Sequence, residues 1–370
     1  MSSLLVSPRE GLYALWRAER RPRLPLDQEG GSVVGLSFSP NGTRLLIAAD
    51  NARAQLWSID TGRPIGARLD AQARFTSAIL SADGSLVLTA SNDGARLWNR
   101  DTGALVRTLA LETGAQSASF SADSGLIVTT AENRAQLWRT STGERVGAPL
   151  QHGEEEVVTS AAFAPDGARI ATGSSDGSIH LWNVDAHRVE VRAHHHDGAI
   201  KSVSFSSRGG WLVSASADGT ALIWELNAGA AIPSVPLRHS GEVVAAAFSR
   251  DDARVLTASF DGTALVWDAA SGELVAEIAA EDSGRISSAA FSPDGELVAT
   301  GTESGEVHLW DAQTGQSRMD AMWLRYLRAC VRGCLPVAYR VERFGATEEE
   351  AREGLARCQE RLRATAPEPS

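Results

Sequence analysis

Lysine is nearly absent: Lys201 is the one lysine among 35 basic residues, so the cationic side of this chain is arginine. Together with abundant alanine, that bias reads as the codon usage of a GC-rich, bacterial genome. Cysteine is scarce as well. All three, Cys330, Cys334 and Cys358, lie in the last fifth of the chain, which is too few and too clustered for the disulfide framework of a small secreted domain and fits a reducing compartment. No apolar run approaches the ~20 residues that span a bilayer. Leu4-Leu5-Val6 gives way to Ser7-Pro8-Arg9-Glu10 before it reaches the roughly 7 to 15 apolar residues of a secretory leader. A cytoplasmic protein with no membrane partner is expected. Positive charge is also in deficit. The formal net charge is -11, and residues 31–317 carry 20 basic against 34 acidic side chains, so the basic footprint of a nucleic-acid binder is missing.

Tryptophan, by contrast, is plentiful and regular. Trp57, Trp98, Trp138, Trp182, Trp224, Trp267 and Trp310 recur at intervals of 41, 40, 44, 42, 43 and 43 residues. Each closes an alternating apolar stretch such as Ile179-His180-Leu181-Trp182 or Val307-His308-Leu309-Trp310, the period of a half-buried strand. Most are followed by a turn ending in glycine, as in Asp60-Thr61-Gly62 or Ala270-Ser271-Gly272; only Asn183 to Arg188 lacks it. Upstream lies a hairpin turn (Pro40-Asn41-Gly42, Ala82-Asp83-Gly84, Pro165-Asp166-Gly167, Pro293-Asp294-Gly295), where glycine supplies the positive φ. A first strand precedes the hairpin, as in Val157 to Phe163 or Val243 to Phe248. Four antiparallel strands repeated seven times at about 40 residues predict an all-β, seven-bladed propeller over residues 20–317.

Three central copies carry a further pattern, a His, a Ser-x-Asp and the Trp in fixed order: His152, Ser174, Asp176 and Trp182; His196, Ser216, Asp218 and Trp224; His239, Ser259, Asp261 and Trp267. In these residues the chain resembles the bacterial-type WD-repeat β-propeller family, over roughly residues 20 to 315. The resemblance implies that the four side chains of each copy form a hydrogen-bonded structural relay tying the interblade loop to the third strand. Buried polar groups of this kind need partners, so the Ser-His-Asp grouping reads as structural and not as a catalytic triad. Four copies depart from the pattern: Ala49-Asp50-Asn51; Ser91 and Asp93, one residue closer to Trp98; Thr130 and Glu132; and Thr302 and Ser304. None of the four has the loop His.

The ends are read from shorter signals. Leu24-Pro25-Leu26 matches the fourth-strand segments Ala148-Pro149-Leu150 and Val235-Pro236-Leu237, so residues 20–28 are expected to close the ring as the outer strand of the last blade, removing an open edge. Residues 1–19 hold a capping-box start with Leu12, Leu15 and Trp16 on one face, a short helix. Residues 318–365 read as a helical hairpin broken at Pro336, and 366–370 as a disordered tail.

For function, there is no glycine-rich phosphate loop, no nucleophile elbow and no paired-carboxylate motif that the repeat does not explain. Propellers resembling quinoprotein dehydrogenases place a Trp after the Thr-Gly turn, whereas here it comes before. The expectation is a monomeric, non-catalytic scaffold or adaptor with no cofactor and no metal, since the adjacent His194, His195 and His196 cannot converge on one ion. A sensor module of a larger kinase or nucleotide-switch system is the alternative, and a propeller enzyme the remote one. Four residues are candidates for contacting a protein partner. Phe260 follows an inward-facing Ser259 at a turn where other copies carry small or polar residues, Trp211 stands where others carry arginine, and His194 and His195 flank the relay.

Overall fold

A computed structural model of the chain describes residues 31–227, 230–233, 236–279 and 284–317. The expected N-terminal helix, the closing strand at residues 20–28, the C-terminal helices and the tail lie outside these residues.

The described residues form seven antiparallel sheets in chain order. Blade 1 runs through Val33–Phe38, Arg44–Ala49, Arg53–Ser58 and Pro64–Asp70, and blade 4 through Val158–Phe163, Arg169–Ser174, Ser178–Asn183 and Arg188–His194. In blade 5 the outer strand is divided into Ala230–Pro233 and Leu237–Arg238, both paired to Thr220–Asn227. Blade 7 contributes Ile286–Phe291, Leu297–Thr302 and Val307–Asp311. The architecture is an all-β, seven-bladed propeller.

Burial sorts the strands. Second strands such as Arg44–Ala49 and Leu86–Ser91 are buried from their second residue onward, whereas outer strands such as Pro64–Asp70 alternate or are exposed. A central strand covered on both faces by neighbouring blades reads as a continuous apolar run; an edge strand does not. First strands sit innermost and join blade to blade. The Ser37 hydroxyl accepts the Leu80 N–H at 3.2 Å, Ser77 accepts that of Ala118 at 3.3 Å, Ser160 that of Val203 at 3.2 Å, and Ser202 that of Ala246 at 3.0 Å. One repeat thus presents a polar atom to the same position of the next.

The apolar core is divided seven ways, one cluster between each pair of adjacent blades. Trp98 of blade 2 packs with Leu46, Leu56 and Leu69 of blade 1, and Trp182 of blade 4 with Val128, Leu137 and Leu150 of blade 3. Each tryptophan therefore reaches back to the preceding blade, so the forty-residue spacing is the spacing of interblade wedges. Fully burying an indole removes ~200 Å² from water, an upper-limit gain of ~5 kcal/mol at ~25 cal/mol/Å². The seventh cluster closes the ring: Val33, Leu45, Ile47 and Trp57 of blade 1 pack against Ala299, Val307 and Leu309 of blade 7. The Ser287 hydroxyl donates to the Val33 carbonyl at 2.6 Å across a separation of 254 residues. Among the described residues, blade 7 thus meets blade 1 through its inner strands.

At the turn without glycine, His187 takes the left-handed conformation itself, φ 47°.

Candidate functional site

Among the described residues, the relays lie where the interblade loops meet the turns between second and third strands. In blade 5 the Trp224 indole N–H donates to Ser214 Oγ at 2.8 Å, Ser214 Oγ lies 2.8 Å from His196 Nε2, and His196 Nδ1 lies 2.8 Å from Asp218 Oδ2. A carboxylate only accepts, so Nδ1 carries the proton, Nε2 is bare, and the Ser214 hydroxyl donates to it. Asp218 also accepts the backbone N–H of Asp197 at 3.0 Å and that of Thr220 at 2.8 Å, together with the Thr220 hydroxyl at 2.6 Å. Blade 6 repeats the chain with Trp267, Thr257, His239 and Asp261, at 2.8, 2.7 and 3.2 Å in turn.

The hydroxyl in each chain is not the one expected from the sequence. Ser216 donates to the Gly198 carbonyl at 2.9 Å and accepts the Asp218 N–H, Ser259 accepts the Asp261 N–H, and Ser174 bonds Asp176 and Ser178. These serines shape the turn. The relay hydroxyl comes from two residues earlier, because Trp224 stands opposite Leu212 and its indole nitrogen reaches the diagonal neighbour two residues along the same face, Ser214. The same hydroxyl serves the indoles of Trp98 (Thr89), Trp138 (Thr129) and Trp310 (Thr300), none of which has a relay histidine. Blade 1 has Ile47 at this position, and Trp57 Nε1 is buried without a partner. The sequence signal was available: a Thr or Ser nine or ten residues before the Trp.

Electrostatically the relay is a neutral imidazole held against an anion. Burial lowers the pKa of His196 and of His239, outweighing the carboxylates that would raise it. For Asp218, burial pushes the pKa up, but the hydrogen bonds from Thr220 and His196 outweigh it and leave the group below the usual carboxylate range. Ser214, His196 and Asp218 stand in the order of a hydrolytic triad. Yet Ser214 is 0% exposed and its oxygen already accepts the Trp224 indole N–H. The bonds tie the interblade loop to the second and third strands.

Blade 4 differs. His152 Nε2 meets Thr172 Oγ1 at 2.7 Å, and the Trp182 indole donates to the same oxygen at 2.8 Å. But Asp176 does not receive the other side of the ring, as the sequence pattern suggested. Its carboxylate is held by Ser174 and by the Ser178 N–H at 2.9 Å, and His152 Nδ1 instead faces Glu156 Oε2 at 3.4 Å. The loop is the cause. Six residues separate His152 from the first paired residue of its blade, Val158, against four from His196 to Ile200 and four from His239 to Val243. The two additional residues fold Glu156 back, its carboxylate accepting the Gly153 N–H at 3.1 Å.

The candidate contact residues are spread over both rims. Phe260 is half-buried, with the guanidinium of Arg285 at 5.3 Å from its ring centroid. Trp211, on the opposite rim, is 38% exposed, the one aromatic among the exposed large apolar side chains of the described residues. It pairs with Glu225, which pairs with the exposed Ile232, so the three share one face of blade 5. His194 is exposed, Nε2 lying 2.9 Å from the Asp176 carbonyl, and the exposed His195 ring lies 5.5 Å from that of Trp224. Among the described residues no helix is long and apolar enough to cross a membrane.

Comparison with curated proteins gives no match. A protein-family profile described as outer membrane protein assembly factor BamB matches residues 82–320, from the hairpin of blade 2 through the last blade. The match covers well over half of the chain, all of blades 3 to 6, the described strands of blade 7 and most of blade 2, so the chain belongs to the family described as outer membrane protein assembly factor BamB.

Proposed function

We propose that the protein is a non-catalytic protein-binding scaffold of WD-repeat character, with Trp211 and its neighbours on blade 5 as an anchor. The observation that carries the reading is an indole left 38% exposed on a rigid ring, in line with Glu225 and the exposed Ile232. Interface energy concentrates in a few aromatic anchors of this kind. The family's printed name, an assembly factor, supports a role in contact with other proteins, and the burial of the Ser214–His196–Asp218 and Thr257–His239–Asp261 chains supports reading them as braces. The scarce, clustered cysteines support a cytoplasmic setting as part of the same reading.

The test places a photo-crosslinking residue at position 211 or at position 260 of the full chain in cells. A discrete protein adduct is expected from position 211, and Trp211→Ala should abolish capture of that protein while leaving the melting temperature within about 1 °C, as expected for a surface truncation. Equal capture by Trp211→Ala overturns the anchor, and recovery of the protein with the cell envelope overturns the cytoplasmic setting.

A further inference from the structure

Blade 4 holds a cluster that the relay does not use. His152 is 5% exposed and His180 4% exposed. Their rings stack with centroids 4.1 Å apart and 12° between planes, and Nδ1 of each is buried without a hydrogen-bond partner. A neutral imidazole nitrogen in that position is costly in either tautomer, as a donor without an acceptor or a lone pair without a donor. Beside them stands a carboxylate: one nitrogen of each ring and an oxygen of Glu156 all lie within 4.8 Å of one another. We infer that His152, His180 and Glu156 form a binding site for one divalent transition cation of the zinc class.

Two imidazole nitrogens and a carboxylate oxygen make a borderline donor set suited to such an ion. Zinc takes these ligands at about 2.0–2.2 Å in a tetrahedron, so the three atoms must draw in by about an ångström. Glu156, on a loop and only partly buried, can supply its own approach, while the two stacked imidazoles, 12° between planes, must tilt toward each other so that their in-plane lone pairs converge on the ion. The support behind the ligands is in place. With Nδ1 of His152 on the ion, its Nε2–H donates to Thr172, whose own hydroxyl turns to the His180 carbonyl at 3.4 Å. Outer hydrogen bonds of this type fix the tautomer and orientation of a ligating histidine. The charged groups felt at the two rings besides Glu156 are Asp176, which favours a cation, and Arg192, which opposes it.

Two sequence changes separate this blade from its neighbours, and both serve the cluster. The residue two before the Trp is His180 here but Leu222 and Leu265 in blades 5 and 6, and the loop is longer by the two residues that bring Glu156 to the ring. A brace alone needs neither, since blades 5 and 6 hold their histidines with a turn aspartate.

The experiment is calorimetric titration of Zn2+ into the full chain freed of metal with a chelator, paired with Co2+ absorption to report ligand geometry. One equivalent is expected at micromolar affinity or tighter, with a tetrahedral-type cobalt spectrum. Glu156→Gln should weaken it at least tenfold, and His180→Leu, which installs the residue of blades 5 and 6 and so keeps the fold, should remove it. His194→Ala with His195→Ala should leave it unchanged. Absence of stoichiometric binding, binding that survives both Glu156→Gln and His180→Leu, or binding lost only in the His194 and His195 variant overturns the site.

Discussion

Replacing Ser214 by alanine removes one oxygen and orphans two buried groups. Ser214 Oγ accepts the Trp224 indole N–H at 2.8 Å and donates to His196 Nε2 at 2.8 Å, in a position with 0% exposure where water cannot substitute. Each stranded group costs about 1–3 kcal/mol, so Ser214→Ala should destabilise by about 3–4 kcal/mol. Thr89→Val in blade 2 is the internal reference. Thr89 meets only the Trp98 indole, at 2.9 Å, among the described residues, and valine keeps the shape, so the cost should be about 1–2 kcal/mol. Guanidinium unfolding of both variants, read as the shift in midpoint at unchanged slope, separates the two values. A double-mutant cycle of Ser214→Ala with His196→Ala should return a coupling of about 1–2 kcal/mol. Equal costs for Ser214→Ala and Thr89→Val, or a coupling indistinguishable from zero, would refute the chain from indole to imidazole.

Acid should weaken the ring in two stages. His196 and His239 have folded pKa values below the ordinary one, so their contribution is fully present above about pH 6.5 and is lost as pH falls, because the unfolded chain then binds protons that the folded chain refuses. The slope is at most about 1.4 kcal/mol per pH unit for each group. Asp218 and Asp261, also depressed, add a second loss below about pH 4. Melting temperature against pH checks this, and His239→Gln should flatten the first stage. Among the turns, Gly177→Ala should cost about 2–3 kcal/mol, since φ is +87° and a Cβ would run into the His196 carbonyl. Gly167→Ala, at φ +70° with nothing near, should cost only the ~1 kcal/mol of the left-handed conformation itself. Similar losses for the two would show that the neighbouring loop yields.

Within a blade, nearly everything was legible before the structure. The strand that ends at Trp182 and the hairpin at Pro165-Asp166-Gly167 are set by contacts a few residues apart, and such contacts write their period directly into the chain. The candidate site was legible in outline: His196 and Asp218 do meet, at 2.8 Å. What the spacing could not show is register. The choice of Ser214 over Ser216 depends on which residue of the second strand lies diagonally across from Trp224; the Thr or Ser that recurs nine or ten residues before the Trp marks it, but only once that pairing is known. Nor could spacing show that the guanidinium of Arg285, from the next blade, lies over the Phe260 ring while Trp211 stays 38% exposed, since both depend on contacts between strands and blades.

By itself, then, the sequence determined the number of blades, their strand order and the wedge between each pair, because these arise from a local pattern repeated along the chain. Only the tertiary structure showed that Ser287 of blade 7 meets Val33 of blade 1, and that His152, Glu156 and His180 converge. Those contacts join separate strands and loops, and their distances depend on sheet pairing, loop length and the packing of one blade on the next.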